Sequence, residues 1–274
     1  MAESSSISGR KVQVAQDDAS GSATSRLRRY NLVVGLVHLI QAGVVFALSN
    51  DFALPITASF LGGPPGSAFT ERETLWKVPI GTAVGLFLLL AAADHLLTAA
   101  PGIWNWYRDN LREQINYARW WEYSISASIM IVLIALITGV SDVGALIAIF
   151  GVNAAMIFFG MVMEIFNRPG EGRRVNWTPF LFGCVAGIVP WIVIAYQFIG
   201  AENRAQGAGV PTFVYGIVIS LFILFNSFAV NMALQYGRFG PWRNYLFGEK
   251  AYIVLSLTAK TLLAWQIFAN TLIK

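Results

Sequence analysis

The sequence predicts an all-α membrane protein, a bundle of seven transmembrane helices. Three observations predict it. Hydrophobic residues make up 56% of the chain and charged residues only 12%, about half the charged fraction of an ordinary soluble domain. Seven segments have the length and apolar character to cross a bilayer, which takes roughly 20 helical residues. Lysine and arginine fall overwhelmingly on alternate loops between those segments.

The elements follow in order. Residues 1–27 are rich in Ser, Ala, Gly and charge and read as a disordered cytoplasmic tail. They lack the apolar stretch of a cleaved signal peptide, so insertion is expected to rely on the first span. Residues 28–274 form the seven-helix domain, with spans at 30–49, 78–99, 120–138, 143–166, 180–199, 213–232 and 251–273. A tight turn from Gly139 to Asp142 makes the third and fourth spans a close antiparallel pair. Pro101–Gly102, Pro169–Gly170, Gly207–Pro211 and Gly240–Pro241 punctuate other connections. The first outer loop, 50–77, is the one long connection. Alternation over Ile56–Phe60, followed by Gly62-Gly63-Pro64-Pro65-Gly66, fits a small hairpin, and an irregular loop fits as well.

Orientation follows from the basic residues. The tail and the second, fourth and sixth loops hold Arg10, Lys11, Arg26, Arg28, Arg29, Arg108, Arg112, Arg119, Arg168, Arg173, Arg174, Arg238, Arg243 and Lys250. The opposite side holds Arg72, Lys77, Arg204 and Lys274. The N-terminus is therefore expected in the cytoplasm and the C-terminus outside. No Lys/Arg-rich run suited to nucleic acid occurs. The single cysteine, Cys184, excludes an intramolecular disulfide framework; its apolar surroundings predict a buried core thiol. No metal site is expected.

Lys260 is the costly residue. It lies well inside the seventh span, where an ammonium costs about 2.5–3.5 kcal/mol on insertion scales. Its stem is too deep to snorkel easily to either headgroup layer. It is neutral, paired with a buried carboxylate, or covalently modified. Helix depth at about 1.5 Å per residue sets Lys260 roughly 20 Å, and Glu122 of the third span roughly 24 Å, from the outer ends of their helices. Glu122 is within reach of the lysine, and pairing keeps both groups charged.

The third span reads Arg119-Trp120-Trp121-Glu122-Tyr123-Ser124-Ile125-Ser126-Ala127-Ser128. With Met163-Glu164, Phe225-Asn226-Ser227-Phe228-Ala229-Val230-Asn231-Met232 and the stretch 256–260, it resembles the heliorhodopsins, retinal proteins of inverted topology. The likeness extends over essentially the whole chain after the tail. It implies a rhodopsin-like bundle in which Lys260 holds all-trans retinal as a Schiff base with Glu122 as counterion. It further implies that Ser126 and Ser256 hydrogen-bond near that linkage. Tyr123, Met156, Phe159, Phe222 and Phe225 are candidates for the polyene pocket. His38, Gln41, His95 and Asn116 are candidates for a proton-accepting inner cavity, with Glu164 and Glu249 as further polar groups on the cytoplasmic side.

Proton-pumping rhodopsins carry an acidic donor where this chain has Leu133, and a second acid where it has Ser256. The outer half of the spans carries amides such as Asn153, Gln266 and Asn270 but no acid or histidine. A wet inner cavity under a dry outer plug is expected, which favours a light sensor with a slow photocycle. The alternatives are a light-driven proton or ion transporter, and a non-photochemical carrier that uses Lys260 and Glu122 as a substrate ion pair. No nucleophile–base pair suggests an enzyme. Gly151, Ala155 and Gly160 in the fourth span are small residues at packing spacing. The partners expected are retinal, the lipid bilayer, a second copy of the chain in a homodimer, and an unidentified cytoplasmic signalling protein.

Overall fold

A computed structural model of the 274-residue chain describes residues 2–168, 174–204 and 210–272. Eight α-helices and one hairpin occur among them: α1 Ala2–Leu48, β1 Ala53–Ala58, β2 Glu73–Pro79, α2 Ile80–Ala99, α3 Pro101–Arg112, α4 Tyr117–Ile137, α5 Val143–Phe166, α6 Thr178–Arg204, α7 Thr212–Tyr236 and α8 Tyr245–Ile267. All except α3 are long and apolar enough to span a membrane, the first of them over Thr24–Leu48. Helix α1 runs back to Ala2 through the segment read from sequence as a disordered tail. That segment contains no proline to interrupt a helix.

Helix boundaries follow local chemistry. Asn116 caps α4 by accepting from the Arg119 backbone N–H, and Asp142 caps α5 by accepting from that of Ala145. Between α4 and α5 the turn passes through Gly139 at φ +96°, a conformation that costs a side-chain-bearing residue energy. Pro101 stops α2 and starts α3 as its first residue. Helix α3 lies in what the sequence left as a loop; Tyr107 and Leu111 anchor it on the bundle.

The long loop is a hairpin. β1 and β2 pair antiparallel with Ile56 opposite Trp76, and the register slips at Ile56/Thr57. Its tip is a Pro64–Ser67 turn with Gly66 at φ +98°, the position where this turn type needs glycine. Thr57 pins the hairpin to the α4–α5 turn: its N–H donates to the Ser141 carbonyl at 2.8 Å and the two hydroxyls meet at 2.9 Å. This end of the bundle is the hairpin end; the opposite end carries α3 and most of the basic residues.

Helix packing closes a ring. α1 packs on α2, α2 on α4, α4 on α5, α5 on α6, α7 on α8, and α8 returns to α1. Trp191 on Phe222 and Phe225, and Phe198 on Tyr215, join α6 to α7. Helix α4 is the most enclosed of the spans, so its side chains are best placed to build an internal site. Towards the hairpin end the core is apolar, with Ile131, Ile134, Ile194, Leu221, Leu263 and Ile267 among its members. Polar groups there pair locally, Asn153 with Ser128 and Gln266 with Ser220.

Candidate functional site

Lys260 and Glu122 meet at the centre of the bundle. Lys260 Nζ donates to Glu122 Oε1 at 2.7 Å, and the residues are 3% and 6% exposed. Burying either charge alone would be strongly unfavourable, so the pair accounts for both. The Tyr123 ring centroid lies 5.1 Å from Nζ. Ser126, one turn beyond Glu122, and Ser256, one turn before Lys260, are both buried and line a small cavity with the lysine. The Ser126 hydroxyl has no hydrogen-bond partner. Thr261, next to the lysine, accepts from Gln41 Nε2 at 3.1 Å, which ties α1 to the site.

The cavity at Lys260, about 50 Å³, leads into a larger one of about 380 Å³ between α4, α5, α6 and α7. Tyr123, Met156, Ile157, Phe225 and Phe228 line both, so they form one corridor with the amine at its head. A buried lysine, two neighbouring hydroxyls and an elongated apolar corridor fit an apolar aldehyde such as retinal. Of the five pocket residues predicted, Tyr123, Met156 and Phe225 line the corridor. Phe159 and Phe222 do not: each stands one layer out, edge-on to Phe182 and Trp191 respectively. Helical spacing marks a residue as apolar, but the rotation of α5 and α7 decides which apolar residue faces inward.

Sequence reasoning missed Trp120, Trp191, Phe228 and Tyr252 in the lining, together with the glycines that make room for it. A Cβ on Gly160 would sit 2.4 Å from the Trp120 ring, and one on Gly187 would sit 2.5 Å from Met156 Sδ. Gly183 and Gly187 are one helical turn apart on α6, a signal that was available. Cys184 is exposed and lies at the corridor's rim, not in the core as predicted, because α6 is peripheral and turns that face outward.

The proposed inner cavity divides into two clusters. His38 and His95 stack with centroids 6.0 Å apart, and His95 Nδ1 meets Asn31 Oδ1 at 2.7 Å. His38 is fully buried and neither ring nitrogen has a partner. Asn116 belongs to the second cluster. Its backbone N–H donates to Glu164 at 2.9 Å and its side-chain amide to Glu249 at 2.7 Å. At the centre of that cluster is Arg119, counted from sequence among the loop cations but only 4% exposed. It bridges both carboxylates, with Glu164 at 2.5 Å. Its guanidinium lies 4.4 Å from the Trp120 ring centroid and 3.9 Å from that of Tyr252. The Trp120 indole N–H donates to Glu164 at 2.5 Å, and the Tyr245 hydroxyl to the same carboxylate at 3.4 Å. Burial, with Glu249 nearby, raises the pKa of the Tyr107 hydroxyl, so it stays protonated where it accepts from Asn116. The paired charges of this cluster separate the lysine site from the basic end of the bundle.

A family model described as Heliorhodopsin matches residues 27–272. Among solved structures the chain is similar to a light-driven proton pump, LR (Mac), from Leptosphaeria maculans. The TM-score is 0.58 at 16% identity, covering 88% of this chain and 94% of the other. At that identity the likeness concerns the fold. No curated protein matches the sequence.

Proposed function

This chain belongs to the heliorhodopsin family, and from that premise we propose that it is a light sensor that holds all-trans retinal on Lys260 and moves no ions. The observation that carries this reading is the buried Lys260–Glu122 pair, at 2.7 Å, at the head of an apolar corridor. Retinal, when bound, supplies visible absorption and a light-driven change of shape. Lys260 Nζ would be the attachment atom, as a protonated Schiff base, and Glu122, 2.7 Å from Nζ, would hold the positive charge there. Ser126 and Ser256 offer hydroxyls beside it. Tyr123, Met156 and Phe225, with the tryptophans at 120 and 191, confine the chain and exclude water.

Among the described residues, the buried imidazoles that could take a proton leaving Nζ, beyond Glu122 itself, lie towards the basic end. His38 has free ring nitrogens, His95 stacks on it, and Gln41 donates to Thr261 next to the lysine. Towards the hairpin end the core is apolar, and the polar groups described there, Asn153 with Ser128 and Gln266 with Ser220, are paired with each other. The proton therefore stays inside, and the readout is a conformational change at the cytoplasmic loops, where a signalling protein would bind. The protein acts as a receptor, not an enzyme. Gly151 and Ala155, one turn apart on the outward face of α5, suit close contact with a second copy of the chain.

The test is an absorption spectrum of protein reconstituted with retinal. Wild type is expected to show a visible band that Lys260→Ala lacks. A band retained in that variant ends the attachment role. Illuminated cells are expected to show no pH change. A change abolished by protonophore would establish the proton-transport alternative.

A further inference from the structure

A second groove opens between α7 and α8 at the basic end of the bundle. Its volume is about 390 Å³, and Val230, Leu234, Trp242, Phe247, Lys250 and Val254 are among its lining residues. Val230, Phe247 and Val254 are exposed and lie on spanning helices, so the groove faces hydrocarbon. Its wall is fixed: the Trp242 indole N–H donates to Asn231 Oδ1 at 2.7 Å, and Trp242 meets Phe247 edge-on at 4.9 Å.

Charge distinguishes this groove from an ordinary lipid-facing furrow. Lys250 lies five residues into α8, about 8 Å below its start, a depth from which its stem can snorkel to the headgroups. Glu249 is the only acid in residues 237–250, and it is committed to Arg119. Among the described residues no carboxylate pairs with Lys250; its Nζ lies 5.8 Å from the Tyr30 ring centroid. Arg238 and Arg243 are exposed on the same loop, and the N-terminal dipole of α8 adds positive potential. An apolar slot thus ends, at headgroup depth, beside a cation that faces an aromatic ring but has no carboxylate partner among the described residues.

We propose that this groove is a binding site for an anionic phospholipid, with one acyl chain along α7 and α8 and the headgroup phosphate on Lys250. A phosphatidylcholine headgroup carries its own cation and matches the site less well. The site needs neither retinal nor light, so it stands or falls separately from the photoreceptor reading.

The test uses the full chain in phosphatidylcholine vesicles containing either brominated phosphatidylglycerol or brominated phosphatidylcholine. The signal is the Trp242 fluorescence, taken as wild type minus Trp242→Phe. Brominated phosphatidylglycerol is expected to quench it at about a fivefold lower mole fraction, the preference one lysine gives near a membrane surface. Lys250→Gln should remove that preference and Lys250→Arg should keep it. Equal quenching by the two lipids overturns the proposal, as does a preference that persists in Lys250→Gln. If that variant does not fold, competition by unbrominated phosphatidylglycerol in the wild type decides: restored fluorescence supports the site, and none overturns it.

Discussion

Glu122 and Arg119 sit three residues apart on α4 and hold opposite kinds of ion pair. Glu122 serves one cation. On the proposed function, its neutralisation in Glu122→Gln would let positive charge at Lys260 spread along retinal, so the visible band is expected to move to longer wavelength. An unmoved band would remove Glu122 as counterion. Arg119 serves two carboxylates. Arg119→Met leaves Glu164 and Glu249 facing each other without a cation, which is expected to cost about 3–5 kcal/mol. Thermal unfolding followed by loss of near-UV dichroism measures it; an unchanged midpoint would show that the cluster is not structural. Lys260 was legible in the sequence because a single cation deep in an apolar run has few explanations. Arg119 was not. It stands at the edge of a span, where sequence alone treats a cation as loop, and its partners come from α5 and α8.

At the scale of elements, the corridor depends on where α5 and α6 lack side chains. Gly160 accepts the face of Trp120, and Trp120 in turn supports Glu164 through its indole N–H. Gly160→Val is expected to push that ring into the corridor at a cost of about 1–3 kcal/mol. It should also alter the visible band although Lys260 is untouched. A normal band and normal stability would show that Trp120 has room to move. The hairpin was half legible: alternation and the Pro-Pro-Gly tip indicated strands, while the docking of Thr57 on Ser141 required α4 and α5 to be in place. Helix α3 was not foreseen, because its amphipathic pattern covers only Pro101–Arg112 between two spans.

For the whole molecule, the unequal ends make a testable statement about topology. Basic residues gather at the end opposite the hairpin, and such residues stay on the cytoplasmic side. In a Cys184→Ala background, a membrane-impermeant thiol reagent is expected to label Lys274→Cys in intact cells. Ser5→Cys should react only after permeabilisation. The reverse pattern would invert the protein and place the histidine cluster on the outside. Light scattering of the purified protein is expected to give the mass of a dimer; a monomer mass would remove α5 as an interface.

The seven spans, the asymmetry of charge and the Lys260–Glu122 pair are legible in the amino-acid sequence alone. These follow from the high cost of polar groups in hydrocarbon, which leaves a mark on every apolar segment. Packing of the helices was needed to show which aromatic residues line the corridor, that Asn116 joins Arg119 and not the histidines, and that Cys184 faces outward. Those depend on how each helix is rotated about its axis. That rotation is set by side chains meeting across the bundle, and the periodicity of a single helix does not contain it.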